Sequence, residues 1–420
     1  MREINVIRVL YNPHFRNLWL SQLISQIFLN TLVFSQLLRV YDLTKSNIAV
    51  SILVLTIGIP NLALGALAGV LVDRWDKKAV MFACQAARVV AIIAFIISSE
   101  SVLWIYTLML VVSSITQFWA PAEVSTIPRL IKGPLLLSAN GVYTLTFFST
   151  VIIGNVLAGP ILAVFGSTQS YLLIAFAFMV ATMFIVRLPG ARIFSLIKKG
   201  LGSSFAPVNR SFIPRLKLEF SQGLRFIQEN PKISHAIGFL ALSQTMIASL
   251  SVMAPGFSDR VLHISIVDVS FLVMLPAALG MLVGALAIGQ FFWHFNKDLM
   301  VHSGLIASGT ALVLLSYLPV ISLWLTVPLT LVGFVVLVCL GLCNALVDIP
   351  SNTILQEQST PEVRSRVYGV LTALVGLAAV FPVVVVGTLS DLLGVEKVML
   401  VLGVVVILFG LYNRVTEKNV

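Results

Sequence analysis

Long apolar stretches separated by short polar breaks make up most of this 420-residue chain. A helix needs about 20 mostly apolar residues to cross a bilayer. Twelve stretches meet that measure, near residues 15–38, 47–72, 79–98, 102–128, 136–165, 168–187, 233–257, 269–293, 299–318, 321–347, 367–389 and 395–412. Backbone groups in hydrocarbon must pair within their own segment, so these stretches are predicted to be helices. Residues 1–14 carry Arg2, Glu3 and Arg8 without an apolar core or small-residue cleavage site, so the first stretch is expected to remain part of the fold.

The one long hydrophilic segment runs from Pro189 to Pro231 and includes Lys198, Lys199, Gly200 and Pro207. It sets the expected organisation: an N-terminal half at 1–188, a linker at 189–231 and a C-terminal half at 232–420. Within the linker, Phe212–Asn230 is predicted to form a linker helix with Leu216, Phe220, Leu224 and Ile227 near one face. The two halves also look like copies of one six-helix unit. Pro60 and Gly65-Ala-Leu-Ala-Gly69 in the second stretch reappear as Pro276 and Gly280-Met-Leu-Val-Gly284 in the eighth. Small residues four apart let helices approach closely. Their recurrence at corresponding places favours a repeat architecture.

Composition strengthens the membrane reading: 58% of residues are hydrophobic and 10% charged, against roughly 25% charged in soluble domains. The net charge of +10 does not point to nucleic acid, because the basic residues fall mainly on one side of the alternating loops. Arg74, Lys77, Lys78, Arg129, Lys132 and the run from Arg187 to Lys232 share that side with both termini, whereas the opposite side holds Arg39, Lys45, Arg260 and Lys397. The orientation rule therefore places both termini in the cytoplasm. Cys84, Cys339 and Cys343 all lie in apolar runs and supply no disulfide framework. No metal-ligand spacing, cofactor signature, phosphate-binding Gly-x-x-x-x-Gly-Lys-Ser/Thr loop or convergent Ser, His and Asp set is present, which argues against an enzyme.

Ionisable groups at membrane depth are costly and usually line a pathway. Arg88 in the third stretch, Glu123 after Pro121 in the fourth and Asp348 before Pro350 in the tenth are the ion-coupling candidates. Arginine does not give up its proton, so Arg88 suits a gate or partner role, and a proton carrier is sought in the two carboxylates. The competing reading has Glu123 and Asp348 satisfied by Arg129, Arg364 or Arg366. Gln22, Gln26 and Asn30 in the first stretch are substrate-cavity candidates, with interhelical packing as the alternative.

The segment Gly65-Ala-Leu-Ala-Gly69-Val-Leu-Val-Asp73-Arg74-Trp75-Asp76-Lys77-Lys78 resembles the signature loop between the second and third spans of the major facilitator superfamily. The resemblance implies an all-α membrane protein with the major facilitator fold, twelve transmembrane helices in two six-helix halves. It also implies conformational roles for Gly69, Asp73, Arg74, Lys77 and Lys78. Asp73 is expected to clasp the start of the eleventh span, near Arg364–Val367, with Arg129 as another possible partner.

Gly159-Pro160 in the fifth stretch resembles part of an exporter signature and is a further conformational candidate. Phe118-Trp-Ala-Pro-Ala-Glu123, Ile127-Pro-Arg-Leu130 and Gly223-Leu-Arg-Phe-Ile227 resemble the drug and proton antiporters that include macrolide efflux proteins and the enterobactin exporter. The acid that many relatives place near Phe28-Leu29-Asn30 is missing, a departure from the pattern on which the familiar route for proton antiport rests. The expectation is a monomeric secondary transporter in a bacterial plasma membrane, exporting amphipathic small molecules or drugs in exchange for protons. The alternative is a narrow transporter of a metabolite, siderophore or lipid, working as a uniporter.

Overall fold

A computed structural model of the chain describes residues 5–97, 100–131, 135–189, 221–222, 224–265, 268–291, 295–321, 328–359 and 361–417. The main elements are all helical: α1 (Asn5–Tyr11), α2 (Pro13–Thr44), α3 (Asn47–Arg74), α4 (Lys77–Ala94), α5 (Val102–Leu130), α6 (Leu135–Val186), α7 (Pro231–Phe257), α8 (Leu275–Gln290), α9 (Lys297–Ser316), α10 (Leu329–Gln358), α11 (Pro361–Leu393) and α12 (Val395–Glu417). Among the described residues, nine helices are long and apolar enough to cross a membrane. The expected fifth and sixth spans form one helical run, α6, which passes through Gly159 and Pro160 and breaks at Gly166. Gly166 has φ 68° and ψ 179°, a conformation essentially reserved for glycine. The Ser170 hydroxyl donates to the carbonyls of Ile161 and Gly166 and so ties the two sides of the break together.

Polar residues at the breaks set the helix ends. The Asp76 carboxylate accepts from the Ala79 amide at 2.8 Å and starts α4, and Asn296 does the same for α9 through Asp298 and Leu299. Buried lysines serve the opposite ends. The Lys77 ammonium donates to the Val72 and Trp75 carbonyls at the end of α3, and that of Lys78 donates to the Leu188 carbonyl just past α6. Cations there complement the negative end of a helix.

The chain forms two compact units, residues 1–39 with 59–212 and residues 40–58 with 213–420. In the first, Phe15 and Leu18 of α2, Val72 of α3, Met81 of α4, and Trp119 and Ala122 of α5 share one buried core. In the second, glycines bring helix backbones together. A side chain at Gly280 of α8 would run into the Val338 carbonyl of α10, and one at Gly341 of α10 into the Ala277 carbonyl of α8. Gly284, one turn on, meets Ala345 and the Leu342 carbonyl of α10 in the same way, whereas its equivalent in the first copy, Gly69 of α3, has nothing within 4 Å of where its Cβ would be, so at this position the shared pattern serves close packing only in the second copy. Residues 221–222 and 224–229 are helical at the end of the expected linker; the rest of the predicted linker helix lies outside the described residues. Leu224 and Ile227, from its predicted apolar face, pack against Ile233, Leu355 and Val367 of the second unit. Phe381, Val164 and Leu408 are largely exposed, as befits surfaces covered by lipid tails.

Candidate functional site

The first unit buries a connected polar network around Arg88 and Glu123, each 1% exposed. Its members share helix faces by spacing: Gln85 and Arg88 on α4, and Thr116, Trp119 and Glu123 on α5. The Arg88 guanidinium donates to Gln85 Oε1 at 3.3 Å and to Thr116 Oγ1 at 3.0 Å, and Gln85 reaches the Ser25 hydroxyl of α2. Glu123 Oε2 accepts from the Trp119 indole at 3.0 Å and from the Tyr143 hydroxyl at 3.1 Å.

Arg88 and Glu123 form no ion pair within 4 Å, because Trp119 stands between them. Its N–H serves the carboxylate while its ring lies 5.3 Å from the guanidinium carbon, and Phe178 offers a second ring at 5.7 Å. Both distances suit cation–π attraction. Glu123 Oε1 and Arg88 Nε have no hydrogen-bond partner among the described residues. A buried polar atom left unpaired costs free energy, so Glu123 Oε1 is free to take a proton or accept a hydrogen bond, and Arg88 Nε is free to donate one.

The structure spreads the other candidates. Gln22 joins the network's edge by donating to the Tyr143 carbonyl at 3.3 Å, beside the Trp19 to Thr146 bond at 2.7 Å. Asn30 donates to the Gln26 carbonyl of its own helix at 2.8 Å, one turn back. Glu123 is held by Trp119 and Tyr143, where the competing sequence reading looked to arginines. Asp348 lies buried in the second unit, with the Ser243 hydroxyl beside it and Oδ1 unpartnered among the described residues. The Arg74 side chain is exposed. The side chains of Asp73, Arg364 and Arg366 lie outside the described residues.

Sequence reasoning missed Trp119, Tyr143 and Gln85, and also a carboxylate of the second unit. Asp391, near the end of α11, accepts from Ser46 Oγ at 2.5 Å, Asn47 N at 2.9 Å, Asn47 Nδ2 at 3.0 Å and Ile48 N at 3.0 Å. It thus caps the first turn of α3 from another helix. Ser51 Oγ, one turn on, donates to the Val383 carbonyl at 2.9 Å. Gly387 leaves room for this contact, since a side chain there would meet Ser51 Oγ and the Asn47 carbonyl. The available signal was an acid beside Ser390 close to an expected helix end, which sequence alone could not assign to a partner.

Residues 18–383 match the family model of the Major Facilitator Superfamily. Macrolide efflux protein A of Streptococcus pyogenes is 24% identical over 409 residues, covering 94% of this chain and 93% of that protein. An uncharacterized MFS-type transporter, YfiS of Bacillus subtilis (strain 168), is 25% identical, covering 91% and 87%. The enterobactin exporter EntS of Citrobacter koseri is 24% identical, covering 88% and 83%. Among solved structures, the nucleoside transporter NupG superposes with a TM-score of 0.71 at 12% identity, covering 96% of this chain and 99% of that one. A bacterial homologue of the human lysosomal transporter Spinster superposes with a TM-score of 0.70 at 13% identity, covering 96% of each chain. The family match, the helical fold shared with these transporters and the membrane-length helices together place this chain in the major facilitator superfamily, as an integral membrane protein that transports a small molecule and is not an enzyme.

Proposed function

We propose that the chain is a proton-coupled exporter of amphipathic small molecules, working by alternating access in a bacterial plasma membrane as a monomer with both termini in the cytoplasm. The observation that carries this reading is Glu123: a buried carboxylate with one oxygen held by Trp119 and Tyr143 and the other unpartnered among the described residues. A proton gained at Oε1 removes a charge from the interior, and a proton lost restores attraction to Arg88 across the Trp119 ring. Arginine stays charged throughout, so the pair can alternate between a compensated and an uncompensated state. Asp348 is the corresponding candidate in the second unit, and Asp73 remains a candidate clasp of the cytoplasmic side. The named activities of the macrolide and enterobactin exporters support outward transport of bulky amphipathic molecules.

A second reading, a narrow transporter of a metabolite or siderophore, is favoured by the lack of an acid in the first span, where Phe28, Leu29 and Asn30 stand. The test is reconstitution in liposomes with a pH gradient and a panel of cationic dyes and macrolides, comparing wild type with Glu123→Gln, Asp348→Asn and Asp73→Asn. Gradient-driven movement lost in Glu123→Gln supports the coupling assignment. Movement that survives collapse of the gradient overturns proton coupling. A folded protein that moves no member of the panel favours the narrow transporter.

A further inference from the structure

A groove of about 680 Å³ runs along the second unit between α9 and α10. Small side chains, Ala307, Ala311 and Cys343, contribute to it, and its lining is otherwise mainly apolar. It extends from Ser303 to Leu314 on α9, a rise of about 16 Å at 1.5 Å per residue. That is half the thickness of a hydrocarbon core of about 30 Å, the depth of one leaflet. Along its length the groove is open to the side, where Leu314 and Val335 are exposed.

One end of the groove carries charge. Gly410 of α12 lies against Ile306 of α9, and Gly403 lies against Gly309 and Val313, so the two helices run antiparallel. Arg414, one turn beyond Gly410, therefore reaches the Ser303 end and joins the lining there. The nearby Lys297 is engaged by Glu357 at 2.6 Å, whereas Arg414 makes no ion pair among the described residues.

We propose that this groove holds one acyl chain of an anionic phospholipid, with the lipid phosphate on Arg414. An apolar trough one leaflet deep with a cation at the terminal-side end matches a lipid in both shape and charge. Basic pockets between membrane helices recognise anionic headgroups in this way. The inference rests on the chain lying in a bilayer, and on the orientation proposed above only for naming the cytoplasmic leaflet. It does not depend on transport, so failure of the exporter reading leaves it standing.

The test is photo-crosslinking in nanodiscs with a phosphatidylglycerol bearing a diazirine in its acyl chain, followed by peptide mapping and competition with unlabelled lipids. Adducts are expected on residues 303–314 and 335–343. Phosphatidylglycerol should compete about fivefold better than phosphatidylcholine, the ratio given by about 1 kcal/mol of attraction to one arginine. Arg414→Gln should erase that preference and Arg414→Lys retain it; size-exclusion profiles verify that both variants fold. Adducts spread evenly over all lipid-facing helices, equal competition by the two lipids, or a preference that survives Arg414→Gln would each overturn the proposal.

Discussion

Replacing Asp391 with alanine removes four hydrogen bonds from the start of α3, two of them to backbone amides that have no intrahelical partner. Loss of a helix cap costs about 1 kcal/mol, up to about 2, and a hydrogen bond to a charged acceptor contributes about 1.5–3 kcal/mol net. The side chain is 21% exposed, so water replaces part of what is lost. An opening penalty of about 1.5–2 kcal/mol should therefore vanish locally, which makes the amides near Asn47 and Ile48 exchange with solvent roughly 10- to 30-fold faster. Hydrogen–deuterium exchange read by mass spectrometry over residues 42–52 measures this directly, with a peptide from α9 as the internal control. Asp391→Asn keeps one acceptor oxygen and should fall between wild type and Asp391→Ala. Exchange at Asn47 and Ile48 identical to wild type in a folded Asp391→Ala protein would refute the capping argument. Acceleration spread equally over α9 would instead signal general destabilisation.

Two further outcomes follow from the packing. Gly284→Ala places a methyl group against Ala345 and the Leu342 carbonyl and should lower stability by about 1–3 kcal/mol, whereas Gly69→Ala at the equivalent position meets no atom within 4 Å and should leave the thermal midpoint unchanged; equal midpoints for the two variants would contradict the difference between the repeats. Trp119→Phe keeps a ring near Arg88 but removes the donor to Glu123, so transport in liposomes should fall at least tenfold, the equivalent of about 1.4 kcal/mol, while Trp119→Leu should fall further; wild-type transport by Trp119→Phe would show that the indole N–H plays no part.

The nine membrane-length helices among the described residues were legible because hydrocarbon allows a polar backbone only in long, apolar, self-paired segments. Arg88 and Glu123 stood out for the same reason: a charge in such a run has to be explained. Their partners did not stand out, since Trp119, Tyr143 and Gln85 carry no formal charge that a membrane helix must explain, and they become a site only when α4, α5 and α6 turn the right faces to each other. Asn30 illustrates what spacing alone leaves out. Helical spacing puts it near the face of Gln22 and Gln26, and only the structure shows that its amide donates to its own helix, at the Gln26 carbonyl. Asp391 was overlooked because an acid close to an expected helix end incurs little cost, so nothing in the sequence required it to have a partner. The glycine repeat read correctly as a close-packing motif in α8, but the sequence could not reveal that α3 presents Gly69 to open space.

The break at Gly166 constrains the polar network from a distance. A connection made by one residue has no slack, so adding or removing a residue there would turn the helix beyond it by about 100° and shift it about 1.5 Å. Tyr143 precedes the break and reaches Glu123, whereas Phe178 follows it and faces Arg88. Length changes that most loops absorb would here re-aim one aromatic wall of the Arg88 cage, which makes this turn a fixed spacer rather than a tether.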